Sequence, residues 1–349
     1  MLLCYPSLLV FPLILLLGRF FFVTLPDWNR DHSIINNDLF EIMLNRRILR
    51  IKAFKILYSC AEDRSLSTKD ALSMLESSAE ASRDLYLFVL ASISPLTKEA
   101  ARRIEAARSK FNPTEEDLNP NMKFASNALA TILDEDVDFC KMLEKRKLSW
   151  EPYDAAIRNL FDSISSKDYF KAYMESPEKS VAADAKLFKC IFEEEFEDNE
   201  EFLSIMEDMN ILWLDDLGYV LRYDISSVQN IARTGEWNCP PIYSEPTDNA
   251  FVTKLISATL AGYDRYFGMV AESVSKWDSD RLFTTDTVLI AMGLAEAENF
   301  DDIPVPVTIN EYVEISKYYS TPKSRSFVNG LLDKLIKEEA AAGLISKSI

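Results

Sequence analysis

Lys323, Ser326, Phe327 and Gly330 fall at i, i+3, i+4 and i+7, a spacing that lines them up along one side of an α-helix. A cation, a hydroxyl, an aromatic ring and a patch of bare backbone on one side form a cluster that core packing does not explain. A glycine inside a helix costs about 1 kcal/mol relative to alanine, so one on the outward side points to the close approach of a ligand or of another backbone. The competing account is a tolerated glycine beside a core phenylalanine, and periodicity alone favours it.

The helix that must carry this face is well punctuated. Thr321 is a good N-cap with Pro322 at the first helical position, and Phe327, Val328, Leu331, Leu332, Leu335 and Ile336 recur as a buried stripe. Just before it, Pro304 and Pro306 hold the backbone extended, and Thr308 with Glu311 has the S/T-x-x-E spacing of a capping box, predicting that another helix starts there.

A second unusual group lies nearly 280 residues upstream. From Leu44 to Cys60 the pattern predicts one helix carrying Arg46, Arg47, Arg50, Lys52 and Lys55 with no acid among them. Phe54, Leu57 and Tyr58 form its buried stripe, and Arg47 and Arg50 extend that stripe toward the N-terminus. The expectation is that the arginines emerge where the helix leaves the core; a solvated basic helix end is the plainer alternative.

Composition narrows the chemistry. With eight glycines in 349 residues, neither G-x-G-x-x-G nor G-x-x-x-x-G-K-[ST] occurs, which argues against a Rossmann or P-loop nucleotide site. The one histidine, His32, lies in an N-terminal extension, so the folded body has no histidine for a triad, general base or zinc site. No cofactor is expected. Cys4, Cys60, Cys140, Cys190 and Cys239 are scattered without a C-x-x-C pair, as suits a reducing cytosol. The net charge of −18 is unusual for a nucleic-acid binder. A whole-chain charge can hide a local patch, and acidity also suits a basic protein partner.

Residues 1–42 differ from the rest. The apolar run Leu8–Leu17 is broken by Pro12 and followed by Gly18 and Arg19. No Lys or Arg precedes Arg19 and no A-x-A-like site follows, against a signal peptide; Arg19 also interrupts the roughly 20 apolar residues of a membrane span. The favoured expectation is translation from Met43, with the upstream segment an over-long reading frame. Amphipathic helices are predicted between Ser67 and Phe111, through Leu85, Val89 and Ile93, with a stop near Pro95. NPTEEDLNPN at 112–121 is a turn-rich connector, and 122 to about 236 again patterns as helix. Asp184–Trp213 and Asp248–Trp277 share one separation, a repeat that chance explains as well as duplication. Trp150, Trp213, Trp237 and Trp277 are expected in the core rather than as stacking platforms.

The segment Ile303–Asp333 resembles the C-terminal signature of the NusB family of bacterial transcription antitermination factors, "IP-x-x-V-x-INE-x-V-E-x-(A/S)-K" followed by "S-x-x-F-(V/I)-NG-(V/L)-LD". The matching residues are Ile303, Pro304, Val307, Ile309, Asn310, Glu311, Val313, Glu314, Ser316 and Lys317, then Ser324, Phe327, Val328, Asn329, Gly330, Leu331, Leu332 and Asp333. Arg46, Arg47, Arg50, Ala53, Leu57, Tyr58 and Ser59 resemble the family's opening R-R-x-x-R-x-x-A-x-x-x-L-Y-S. Trp277, Arg281, Asp286 and Glu296 resemble the run before the signature. About 43–62 and 250–337 are covered.

The resemblance implies an all-α, two-lobed helical bundle enlarged by inserted helices: a lobe at 43–111, a central insertion at 112–247 and a second lobe at 248–349. It implies binding of boxA-type single-stranded RNA together with the ribosomal protein NusE, in the complex that helps RNA polymerase resist termination, without catalysis. Compact members can also pair as homodimers. Carried over position by position, Arg46, Arg47 and Arg50 would meet phosphates, Phe327 a base, and Tyr58 and Asp286 would be polar contacts beside Lys323 and Ser326. Single-stranded RNA is commonly read through such rings, cations and hydrogen bonds. Two departures stand out: Lys323 replaces an acid common in the family, and Ala291 stands where a basic residue is frequent. The rival readings are a helical scaffold that binds only protein, and the RNA-binding part of an rRNA methyltransferase. The latter needs a glycine-rich cofactor loop and a catalytic cysteine that do not follow here.

Overall fold

The structure is a computed structural model that describes residues 44–243, 246–274 and 283–347. The 1–42 extension with Cys4 and His32, the expected start at Met43, and Trp277 and Arg281 of the family resemblance lie outside the described residues. Among the described residues the chain is helical with no β-strand, apart from a bridge between Leu44 and Tyr243, and none of its helices is long and apolar enough to cross a membrane.

The chain forms two compact units. One joins Leu44–Ala79 to Tyr243–Ile349, and the other is Glu80–Ile242. The resemblance implies lobes divided after residues 111 and 247; by contacts the chain divides after 79 and 242. Helix α2 (Thr68–Leu90) runs through the first of these limits without a break.

The first unit is a bundle of α1 (Arg46–Glu62), α12 (Pro246–Val274), α13 (Thr284–Asn299), α14 (Val305–Tyr319) and α15 (Ser324–Ala341). Helix α13 is the centre: α1, α12, α14 and α15 all contact it, and Asp286 through Ala297 are buried without interruption. A helix apolar on every side has no solvent face to offer and must sit inside others. Gly293 makes this packing close, because a Cβ there would stand 2.6 Å from Leu332 Cδ2 and 3.3 Å from Tyr312 Cδ2.

Three local expectations are corrected. Helix α14 starts at Val305, a turn before the Thr308–Glu311 pair, with Pro304 as N-cap and Pro306 in the first turn; proline is tolerated there because the first N–H groups have no helical partner. Helix α15 starts at Ser324 rather than Pro322, and Thr321 Oγ1 lies 2.9 Å from Ser324 Oγ instead of capping a backbone N–H. The stop expected near Pro95 falls at 91–92, and Pro95 itself lies in the first turn of α3 (Ile93–Arg108).

The second unit contains the rest of α2, α3, and then α4 (Glu115–Leu118), α5 (Ala128–Glu135), α6 (Val137–Arg146), α7 (Asp154–Ser166), α8 (Asp168–Glu175), α9 (Val181–Glu194), α10 (Glu200–Met209) and α11 (Leu217–Thr234). The 112–121 connector holds α4, which Thr114 and Asp117 start with a reciprocal capping box. Aromatic rings fill the core. Phe88 stacks on Trp150 at 4.4 Å between centroids and lies 5.5 Å from Trp213, while the Trp150 indole donates to the Phe88 carbonyl at 2.7 Å. Trp150, Trp213 and Trp237 are all buried, as their pattern suggested.

Candidate nucleic-acid interface

The predicted site separates into two ends of α13. At its C-terminal end stands Glu296, fully buried. An ionised carboxylate inside an apolar core requires a counter-charge and a full set of hydrogen bonds. Arg50 of α1 supplies the charge through a two-pronged contact, Nε to Oε2 at 2.7 Å and Nη2 to Oε1 at 3.0 Å. Thr308 Oγ1 donates to Oε1 at 2.9 Å and the Tyr312 hydroxyl to Oε2 at 3.0 Å, so each carboxylate oxygen accepts two hydrogen bonds. Burial works against the charge on Arg50, but the hydrogen-bonded Glu296 and neighbouring acids outweigh it and hold the guanidinium above its ordinary range.

Arg47 is tied in a similar way, with Nε 2.8 Å from Glu311 Oε2 and Nη2 on Oε1. The hydrogen bond to Glu311 raises its affinity for the proton against a smaller cost of burial. Arg50 also lies 3.7 Å from Glu311. Both residues expected to form the capping box, Thr308 and Glu311, are thus partners of this arginine network. Arg46 is held more loosely. Its contacts to Asp248 and Asp302 are each 3.4 Å, and its side chain keeps 40% of its exposure.

This revises the role of the basic helix. Arg47 and Arg50 do extend the apolar stripe of Phe54 and Leu57, but that stripe stays in the core instead of leaving it. Arg50 is 3% exposed, so its guanidinium is a core group here. Lys52 is buried too and donates to the Ser78 carbonyl and hydroxyl, and Lys55 lies over the Tyr319 ring.

At the N-terminal end of α13 stands Asp286, also buried. Its carboxylate accepts from Ser320 Oγ at 2.5 Å and Ser324 Oγ at 2.8 Å. Burial raises its pKa, and the two hydroxyls offset this only in part. Asp286 therefore faces the chain's own hydroxyls and anchors the 320–324 turn from beneath. Immediately beyond that turn, Lys323 and Ser326 are exposed and Phe327 is half-buried. Gly330, one turn on, is exposed with open space where a Cβ would stand.

Tyr58 belongs to this end. It is half-buried, its ring lies 6.4 Å from Phe54, and Phe54 lies 5.4 Å from Tyr319 at the end of α14. Burial, helped by Glu62, pushes the phenol pKa up. Arg47 and Tyr58 are eleven positions apart on α1, about 16 Å along its axis, so the arginine end and the ring end form separate neighbourhoods.

Arg325 is the residue that sequence reasoning missed. It is exposed beside Ser326 and, with Asn329 and Lys337, lines an open groove of about 770 Å³ against Ile309 and Glu314 of α14. Its signal was adjacency to Ser326 in the first turn of the helix; the groove depends on how α14 meets α15. Among the described residues no group of three His, Cys, Asp or Glu could hold a metal ion.

The first unit is thus an all-α bundle around one buried helix, with an exposed polar face at the start of α15. The sequence profile of the NusB family matches residues 229–337. The chain is 39% identical over 90 residues to the transcription antitermination protein NusB of Thermodesulfovibrio yellowstonii, covering 26% of this chain and 60% of that protein. It is 36% identical over 98 residues to the NusB protein of Chloroherpeton thalassium, covering 28% and 46%. With the NusB protein of Listeria monocytogenes serotype 4b it shares 30% identity over 95 residues, covering 27% and 74%. No solved structure matches. This chain belongs to the NusB family. The profile match excludes α1, whose place in the fold rests on its packing with α12 and α13.

Proposed function

We propose that this protein is a non-catalytic transcription antitermination factor that binds boxA-type single-stranded RNA together with the ribosomal protein NusE in the transcription complex. The observation that carries the reading is the exposed face of Lys323, Ser326 and Phe327 at the start of α15. It offers a cation for phosphate, a hydroxyl for a base edge and a ring for stacking, the groups by which splayed RNA is held. Arg325 adds a second cation, and open space at Gly330 leaves room for a backbone to approach.

Division of labour follows from the ion pairs. Arg46, half-buried and loosely held by Asp248 and Asp302, is the arginine of α1 best placed to turn to a phosphate. Arg47 and Arg50 act by fixing α1 against α13 and α14, and Asp286 by fixing the turn that presents Lys323. With the other arginines of α1 held by acids, RNA affinity of this face alone is modest, and a basic ribosomal partner contributes through complementary charge.

Filter binding of a boxA-like RNA, with and without the ribosomal protein, tests this. Binding should weaken steeply with salt, strengthen with the partner, and fall for Phe327→Ala. Salt-insensitive binding, or full affinity in Phe327→Ala, would remove the α15 face from the site. Binding of the ribosomal protein without RNA would favour the scaffold reading.

A further inference from the structure

The second unit has a basic groove of its own. It lies between α9 and α11, the most extensively packed helix pair of that unit, and has a volume of about 510 Å³. Lys186 and Lys189 come from α9, and Gln229 and Arg233 from α11, over a floor that includes Ala185 and Ala232. The spacing produces this convergence. Lys186 and Lys189 are i and i+3 on α9, and Gln229 and Arg233 are i and i+4 on α11, so each pair shares one helix face. The alanines keep the floor low between the two rows of long side chains.

Charge is what sets the groove apart. Acids clearly outnumber bases across 80–242, and most cations of the unit are spent on them. Arg103 holds Glu99 and Asp162, Arg146 holds Glu80 and Asp84, and Lys167 holds Glu195. No carboxylate lines the groove. Lys186 is exposed and makes no ion pair among the described residues, Arg233 is exposed and bonds only to the neutral Asn230 amide oxygen at 3.0 Å, and Lys189 reaches Glu193 at the rim at 3.7 Å. With Lys186 and Arg233 unpaired by any acid among the described residues and Lys189 only loosely held, the groove keeps a positive charge that an anion would neutralise.

We propose that this groove binds the sugar–phosphate backbone of single-stranded RNA, as a second contact for sequence flanking the segment bound at α15. The choice of RNA over another polyanion rests on the antitermination reading. The groove supplies charge and one adaptable amide, but no aromatic ring and no base-reading pair, so it tracks backbone without selecting sequence. A transcript long enough to touch both contacts gains avidity from the second without any new contact at the first.

The test uses the full-length protein and two single-stranded RNAs, a boxA-like strand of about a dozen nucleotides and the same strand lengthened to about twice that. The variants are Lys186→Glu/Arg233→Glu, its milder form Lys186→Gln/Arg233→Gln, and Phe327→Ala. The groove variants should leave the short strand unaffected and weaken the long one, by about tenfold for the charge reversal and less for the glutamines. The slope of log affinity against log salt for the long strand should flatten by roughly 1.4, at about 0.7 per lost phosphate contact. Circular dichroism and thermal melting should match the parent, since both altered side chains are exposed.

Equal affinity of parent and groove variants for the long strand, or equal weakening for both strands, overturns the proposal while leaving the α15 reading intact if Phe327→Ala still weakens the short one. Loss in the groove variants with no effect of Phe327→Ala keeps the groove and removes the α15 site. Competition by polyglutamate as strong as by the RNA extension assigns the groove to an acidic protein surface and overturns the RNA proposal. Failure of both RNAs to bind the parent overturns both readings.

Discussion

Helix α13 carries a buried carboxylate near each end, and the two are satisfied by opposite means. Glu296 takes a guanidinium, a threonine and a tyrosine; Asp286 takes only serine hydroxyls. The cation matters for what remains outside. At the Glu296 end the arginines are consumed by acids of the same chain, and α1 becomes a brace. At the Asp286 end the carboxylate consumes no cation, and Lys323 and Arg325 stay exposed. A basic run in a sequence is therefore no measure of the charge that a fold leaves for a ligand.

The largest effect should come from breaking the Glu296 end. Glu296→Ala strands Arg50 in the core, and removing one partner of a buried pair costs about 3–5 kcal/mol; urea unfolding should show a fall in midpoint of that scale. A loss below about 1 kcal/mol would mean that the pair behaves as a surface contact and that the arginines are free for RNA after all.

Next comes the opposite end. Phe327→Ala should cost about 1–3 kcal/mol in RNA binding, the range for a stacked base, while a half-buried ring leaves the fold standing in thermal melting. If the melt collapses and RNA affinity per folded molecule is unchanged, the two ends do not differ in the way argued.

The pH response separates the carboxylates further. Asp286 has a raised pKa in the folded protein because burial disfavours its charge. Its contribution to stability is then greatest below the ordinary aspartate range and is lost as pH rises through the raised folded value. Asp286→Asn should flatten this slope, so that variant and parent differ more favourably for the variant toward neutral pH. Denaturant midpoints from acid to neutral pH read this directly, and parallel curves would count against a raised Asp286.

The smallest effect is the most selective. Gly330 is helical, exposed and open above its Cα, so Gly330→Ala should stabilise the protein by about 0.5–1 kcal/mol. If a nucleic-acid backbone comes close there, the same change should lower RNA affinity severalfold. Stability up and binding unchanged would place the ligand elsewhere on the face.

Much of this was readable before any coordinates. The stripes through Phe54 and Leu57, and through Val328, Leu331 and Leu335, are buried as their spacing required, and the capped start of the last helix was off by two residues. The residues of the exposed face were named in full except Arg325. Arg50 was read correctly as a continuation of the apolar stripe and then wrongly sent to the surface, because an arginine on an apolar face is expensive unless its partner is known. That partner, Glu296, is 246 positions away. The Thr308–Glu311 pair failed for a related reason: its spacing fits a cap, but both side chains bond across helices.

By itself the sequence determined the helical class, the family signature and the odd face at Lys323, Ser326, Phe327 and Gly330, because periodicity, caps and motifs are relations among near neighbours. The tertiary structure decided which cations are spent inside and which remain outside. Ion pairing falls off within a few ångströms and is set by which helices pack together, and no local pattern in α1 or α9 specifies the acids that will, or will not, stand opposite.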